Sequence, residues 1–175
     1  MQNFGGTAEQ GYYGIGYQFA IVSLLATTSF QRIFWKEIAE AKENQDQERI
    51  QSLYKKVCRF LFIIGAVISG FLIPLSEEII RLCLGPSYVA GSSTLAIMFL
   101  FPIHQSLGNI TGTLLMASSR TKALVALQSA VMVASIPVTY LVLAPSDAWV
   151  PGLGLGSLGL AAKMVVITII GVNFI

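Results

Sequence analysis

Apolar residues run for about twenty positions at a time along most of this chain, and polar residues collect between the runs. A helix needs roughly 20 residues to cross a hydrocarbon core about 30 Å thick. The runs at about 12–34, 60–82, 94–116, 123–143 and 158–172 therefore predict five transmembrane helices. Barrel strands are excluded, because the runs are unbroken and far longer than the roughly ten alternating residues of a membrane strand. Pro74, Pro102 and Pro137 fall inside the second, third and fourth runs and predict bends there.

Composition strengthens this reading. A water-soluble domain devotes about a quarter of its residues to Asp, Glu, Lys and Arg, whereas this chain has 11% charged and 54% hydrophobic residues. Its polar groups are too few to wet an outer surface, so the expected class is an all-α membrane protein. Most of the charge is confined to Arg32–Arg59, with Arg120 and Lys122 in the third connection. The second and fourth connections offer only Arg81, and the segment before Tyr12 has neither Lys nor Arg. Basic connections stay in the cytoplasm, which predicts a multi-pass protein with its N-terminus outside and its C-terminal end inside. Tyr12, Tyr13, Tyr17, Tyr88, Tyr140 and Trp149 at the outer ends, with Trp35 and Tyr54 at the inner ones, agree with that orientation. The N-terminus lacks the basic start of a cleavable signal peptide.

The charged connection over 35–57 is itself expected to be helical. Ile50, Leu53, Tyr54 and Val57 recur at helical spacing, and Asp46 stands three residues before Arg49. Two arrangements fit: a solvated helical hairpin joining two spans, or a segment lying on the inner membrane face with its Lys side chains near anionic lipid.

Several apparent motifs carry no chemistry. Gly154, Gly156 and Gly159 spell G-x-G-x-x-G, but no strand precedes them and no acid follows Asp147, so neither a dinucleotide nor a nucleic-acid partner is expected. Cys58 and Cys83 stand at opposite ends of the second run, too far apart along a continuous helix for a disulfide. No cysteine, histidine or acidic spacing suits a metal, and no base or nucleophile is assembled, so the expectation is a non-enzyme without metal or cofactor.

What remains inside the runs is a sparse polar set: Gln18, Gln31, Arg32, His104, Gln105, Asn109, Gln128 and Lys163. Polar groups held in a bilayer face a cavity or a partner. Lys163, His104, Asn109, Gln128, Gln105 and Arg32 are accordingly the candidate cavity residues, although Lys163 can snorkel, His104 can bond another helix and Arg32 can anchor at the boundary. A cavity of Lys, His, Arg and amides without an acid favours an anionic, hydroxyl-rich substrate.

Ordered along the chain, Gly11-Tyr12-Tyr13 with Ile15 to Ala20, the Lys- and Glu-rich connection, Pro74, and Leu84-Gly85-Pro86-Ser87-Tyr88 with Ala90 resemble the polysaccharide flippases of the multidrug/oligosaccharidyl-lipid/polysaccharide exporter superfamily. Leu115, Ala117 and Arg120-Thr121-Lys122, and then Gly156-Ser157-Leu158-Gly159-Leu160-Ala161, extend the likeness over nearly the whole chain. The resemblance implies five of the six helices of the second lobe of a MATE-like flippase fold. It also implies a substrate, polyprenyl-pyrophosphate-linked oligosaccharide, moved across the bacterial cytoplasmic membrane for surface polysaccharide biosynthesis. Its implied partners are that lipid-linked oligosaccharide, membrane lipid and the remaining transporter lobe. The Ala144–Gly152 loop departs from the family's short outer turn, and the uncharged end at Gly171–Ile175 suggests a truncated chain. Rival expectations are a multidrug exporter of the same superfamily, which would need a buried acid; a sugar transferase, for which only Asp147 is available; and a non-transporting membrane scaffold.

Overall fold

A computed structural model describes residues 2–117 and 121–173. The described residues form seven α-helices and no strand: α1 (Gln2–Glu43), α2 (Gln47–Leu72), α3 (Ser76–Leu84), α4 (Ser92–Met98), α5 (Phe101–Ala117), α6 (Thr121–Leu143) and α7 (Gly156–Asn173), with a 3₁₀ helix at Pro86–Gly91. Among the described residues three helical segments are long and apolar enough to cross a membrane, 86–116, 124–143 and 156–173, where five were expected, and α1, which holds the first run, is not one of them. A fourth is added if α2 and α3, bent by 69°, are one broken span. The described residues are thus all-helical, with apolar helices of the length and composition of membrane spans.

The first run is part of a longer element than its hydropathy predicts. α1 is interrupted at Gly6, where φ is +76°, and the helix beyond that kink runs on to Glu43, which at 1.5 Å per residue is roughly 55 Å, well over the thickness of a hydrocarbon core. Its composition follows from its position: α1 packs against α2, α4, α5 and α7, so much of its surroundings is protein. Gly16 sits against Met98, where a β-carbon would lie 3.1 Å from the Met98 side chain, and Ala20 is buried beside Met98, Phe101, Ala161 and Val165. Helices approach closely where such small residues meet.

The charged connection forms the hairpin rather than a bend onto a surface. Glu43 ends α1, and Asp46 caps α2 by accepting the Arg49 N–H at 2.8 Å, which satisfies one of the free donors at a helix start. Ile50, Leu53, Tyr54 and Val57 pack on Phe34, Ile38 and Ala41 of α1, while Arg49 bridges Glu37 at 2.8 Å and Glu40 at 3.4 Å. The hydroxyl of Thr111 is spent on the Leu107 carbonyl, so Tyr54 is the donor in their 2.9 Å contact and ties α2 to α5.

The three expected bends have different outcomes. Pro74 follows the end of α2, where it has no N–H to continue the ladder, and the chain turns through 69° into α3. Pro102 is the second residue of α5; it cannot bond the Met98 carbonyl, and the 94–116 run divides into α4 and α5 at Phe99–Leu100. The buried Ser69 hydroxyl donates to the Phe99 carbonyl at that break. Pro137, by contrast, lies within a continuous α6. Because α2 ends at Leu72, the continuous helix expected between Cys58 and Cys83 is not present, yet both cysteines are free.

α6 lies on the outside of the bundle. It packs on α7 and only lightly on α5, and no residue between Val125 and Val142 is buried. An apolar helix without a buried stripe faces lipid or another apolar body.

Candidate functional site

α5 and α7 run side by side, and Gly108 permits their contact, because a β-carbon there would meet Val172 at 3.1 Å. α6 returns antiparallel along α7 and diverges from α5. The space left between the three helices is a cavity of about 290 Å³. Gln105 and Asn109 of α5, Gln128 and Ser135 of α6, and Thr168 of α7 reach it, among apolar walls that include Met132 and Ile167. No charged side chain lines it.

The internal hydrogen bonds leave much of this polar set available. Gln105 Nε2 donates to Asn109 Oδ1 at 3.1 Å, and the Thr168 hydroxyl donates to the Met164 carbonyl at 2.8 Å. The Gln105 carbonyl, the Asn109 amide nitrogen and both ends of the Gln128 amide keep capacity for a ligand or water. Neutral donors and acceptors among apolar walls suit a hydroxyl-rich molecule, and nothing in the lining supplies a proton-transfer group or metal ligand. Among the described residues no group of three His, Cys, Asp or Glu side chains is placed to hold a metal.

The candidate residues therefore separate. Gln105, Asn109 and Gln128 are brought together. Lys163 does not line the cavity: its ammonium donates to the Thr139 hydroxyl at 2.7 Å, one turn along α7 from Ile167, and so ties α7 to α6. Thr139 is fixed in turn by donating to the Ser135 carbonyl at 2.6 Å. His104 also stands outside the lining; its Nδ1 is buried without a hydrogen bond of good geometry, with the Leu100 carbonyl one turn back as its polar neighbour. Of the expected cavity residues, this groove holds the amides Gln105, Asn109 and Gln128, and Lys163 and His104 lie beside it. The side chains of Gln31 and Arg32, and the whole of Arg120, lie outside the described residues. Gln18 is exposed on α1.

A second polar cluster closes the opposite end of the bundle. Glu9 of α1 accepts the Ser157 N–H at 2.6 Å, at the start of α7, where the helix dipole favours a negative charge. The Ser157 hydroxyl shares a buried 2.9 Å hydrogen bond with Thr94 of α4. Tyr12 covers Gly91 in the same region. The segments around Gly11-Tyr12-Tyr13, Gly85-Pro86-Ser87-Tyr88 and Gly156-Ser157-Leu158-Gly159 consequently meet at one end of α1. Glu9 carried no distinguishing sequence signal, since its partner lies 148 residues away. Ser135 and Thr168 were hidden for another reason: hydroxyls commonly bond their own helix carbonyl.

No protein family, curated protein or solved structure was found to match the chain.

Proposed function

We propose that this chain forms part of the second lobe of a membrane flippase that carries polyprenyl-pyrophosphate-linked oligosaccharide across a bacterial cytoplasmic membrane. In this reading α1, the broken α2–α3 pair, the α4–α5 pair, α6 and α7 are five spans of a MATE-like lobe. The N-terminus is outside, and the charged hairpin and C-terminal end are inside. The observation that carries the proposal is the amide-lined cavity between α5, α6 and α7, open where α6 and α5 part. Such a wall offers directional bonds to sugar hydroxyls without the fixed charge that would hold one ligand too tightly to release. The long exposed face of α6 is available to the other lobe, and alternating access needs two bundles rocking about a shared site. A multidrug exporter is less well supported, because no acid reaches the cavity.

The test is made in the organism that carries the gene. Deletion is expected to strand lipid-linked oligosaccharide in the inner leaflet and to remove the corresponding surface glycan. The wild-type gene should restore export, and the triple variant Gln105→Leu, Asn109→Leu, Gln128→Leu should restore less than a tenth of it at equal protein level. An unchanged leaflet distribution after deletion would refute the flippase reading.

A further inference from the structure

We propose that one face of α2 is a binding site for an anionic glycerophospholipid, independent of any transported substrate. Ser52, Lys55, Lys56, Arg59, Phe60 and Ile63 recur at three- and four-residue spacing and border an open concavity of about 430 Å³. This face is opposite the one that packs on α1, which presents Ile50, Leu53, Tyr54 and Val57. Lys55, Lys56 and Arg59 are all exposed and, among the described residues, none belongs to an ion pair.

The order of side chains along the stripe is what identifies the ligand. From the hairpin tip inward it reads Glu48 and Ser52, then the three cations, then Phe60, Ile63, Val67 and Phe71, all four of them exposed. That sequence of acid, hydroxyl, cations and hydrocarbon matches water, phosphodiester and acyl chain in turn. The one acid on the stripe, Glu48, is seven residues or roughly 10 Å from Lys55, beyond the headgroup zone. Exposed Trp35 of α1 stands about as many residues from the hairpin turn as Lys55, as expected of a ring at a lipid boundary. A soluble anion would engage the cations alone, at the boundary where the stripe turns apolar. A phospholipid covers both.

The purified chain is reconstituted into nanodiscs of equal phosphatidylglycerol and phosphatidylcholine, extracted gently, and its retained lipids are counted by native mass spectrometry. Phosphatidylglycerol is expected to be enriched about tenfold on the wild type, since each cation near an anionic headgroup strengthens retention several-fold. The variant K55Q/K56Q/R59Q should lose the enrichment, while K36Q/K122Q, which removes cations elsewhere, should keep it. Arg59→Gln alone should reduce it about threefold, and serves if the triple variant does not fold. Excess inorganic phosphate should leave the lipid in place. The proposal is overturned by a wild type without enrichment, by retention in the variants of the stripe, by equal loss in K36Q/K122Q, or by displacement with phosphate.

Discussion

Gly156→Ala is expected to destabilise the bundle more than removal of the charge it serves. Gly156 has φ of +55°, a left-handed conformation that costs an L-residue about 1–2 kcal/mol. A β-carbon there would also sit 2.5 Å from Oε2 of Glu9, the oxygen that accepts the Ser157 N–H. The alanine therefore adds backbone strain and expels the carboxylate that caps α7. Loss of a cap alone costs about 1 kcal/mol, so Glu9→Gln should be the milder change. In a Glu9→Ala background the steric part is already gone, and Gly156→Ala should then cost only its backbone strain, giving clear non-additivity. Thermal unfolding in detergent, followed by maleimide reaction at the half-buried Cys58 in a background where the exposed Cys83 is replaced by Ser, measures each variant. Strict additivity would show that Glu9 and Gly156 do not act together.

Gly152→Ala is the second large effect and arises from sterics alone. Its φ is not positive, but a β-carbon would collide with the Ala144 carbonyl oxygen and lie 2.8 Å from that of Leu141. These oxygens cannot retreat cheaply. The 144–155 connection folds back so that the N–H groups of Gly152, Leu153, Gly154 and Leu155 donate to the carbonyls of Pro145, Leu141, Ala144 and Val142. Carbonyls at the end of a helix need such partners, above all near a membrane where water is scarce. Opening the connection forfeits several bonds worth about 1 kcal/mol each. Gly154→Ala provides the comparison: at φ of +58° it carries backbone strain, but its nearest neighbour would be 3.8 Å away. Limited proteolysis should cut the 144–155 connection much faster in Gly152→Ala than in Gly154→Ala. Equal rates would mean that the connection does not depend on this close approach.

These two glycines also mark where sequence reasoning stops. The long apolar runs of α6 and α7 were legible because lipid imposes length and composition on a spanning helix. The hairpin was legible through Ile50, Leu53, Tyr54 and Val57, whose spacing fits one helical face. Breaks were half legible. Pro74 and Pro102 coincide with interruptions, while Pro137 sits inside an intact helix, so a proline marks a permitted break and tertiary packing decides whether it occurs. Long-range polar contacts were not legible. Lys163 was read as a cavity group, but Thr139 on the neighbouring helix captures it, and nothing in the local sequence of α7 announces that partner. Glu9 was invisible for the same reason, and the G-x-G-x-x-G spacing of Gly154, Gly156 and Gly159 gave no hint that Gly156 leaves room for a carboxylate.

The central claim is a membrane-embedded bundle in which Gln105, Asn109 and Gln128 converge on a water-accessible cavity between α5, α6 and α7. Substituted-cysteine accessibility tests it most directly, in a Cys58→Ser, Cys83→Ser background within native membranes. Cysteines replacing Asn109 and Gln128, which line the cavity, should react readily with a membrane-impermeant maleimide. Cysteines replacing Val133 and Ile136, exposed on the outer helix but away from the cavity, should react only with a lipid-permeable reagent. Equal reactivity at all four positions toward the impermeant reagent, or none at 109 and 128, would contradict the account.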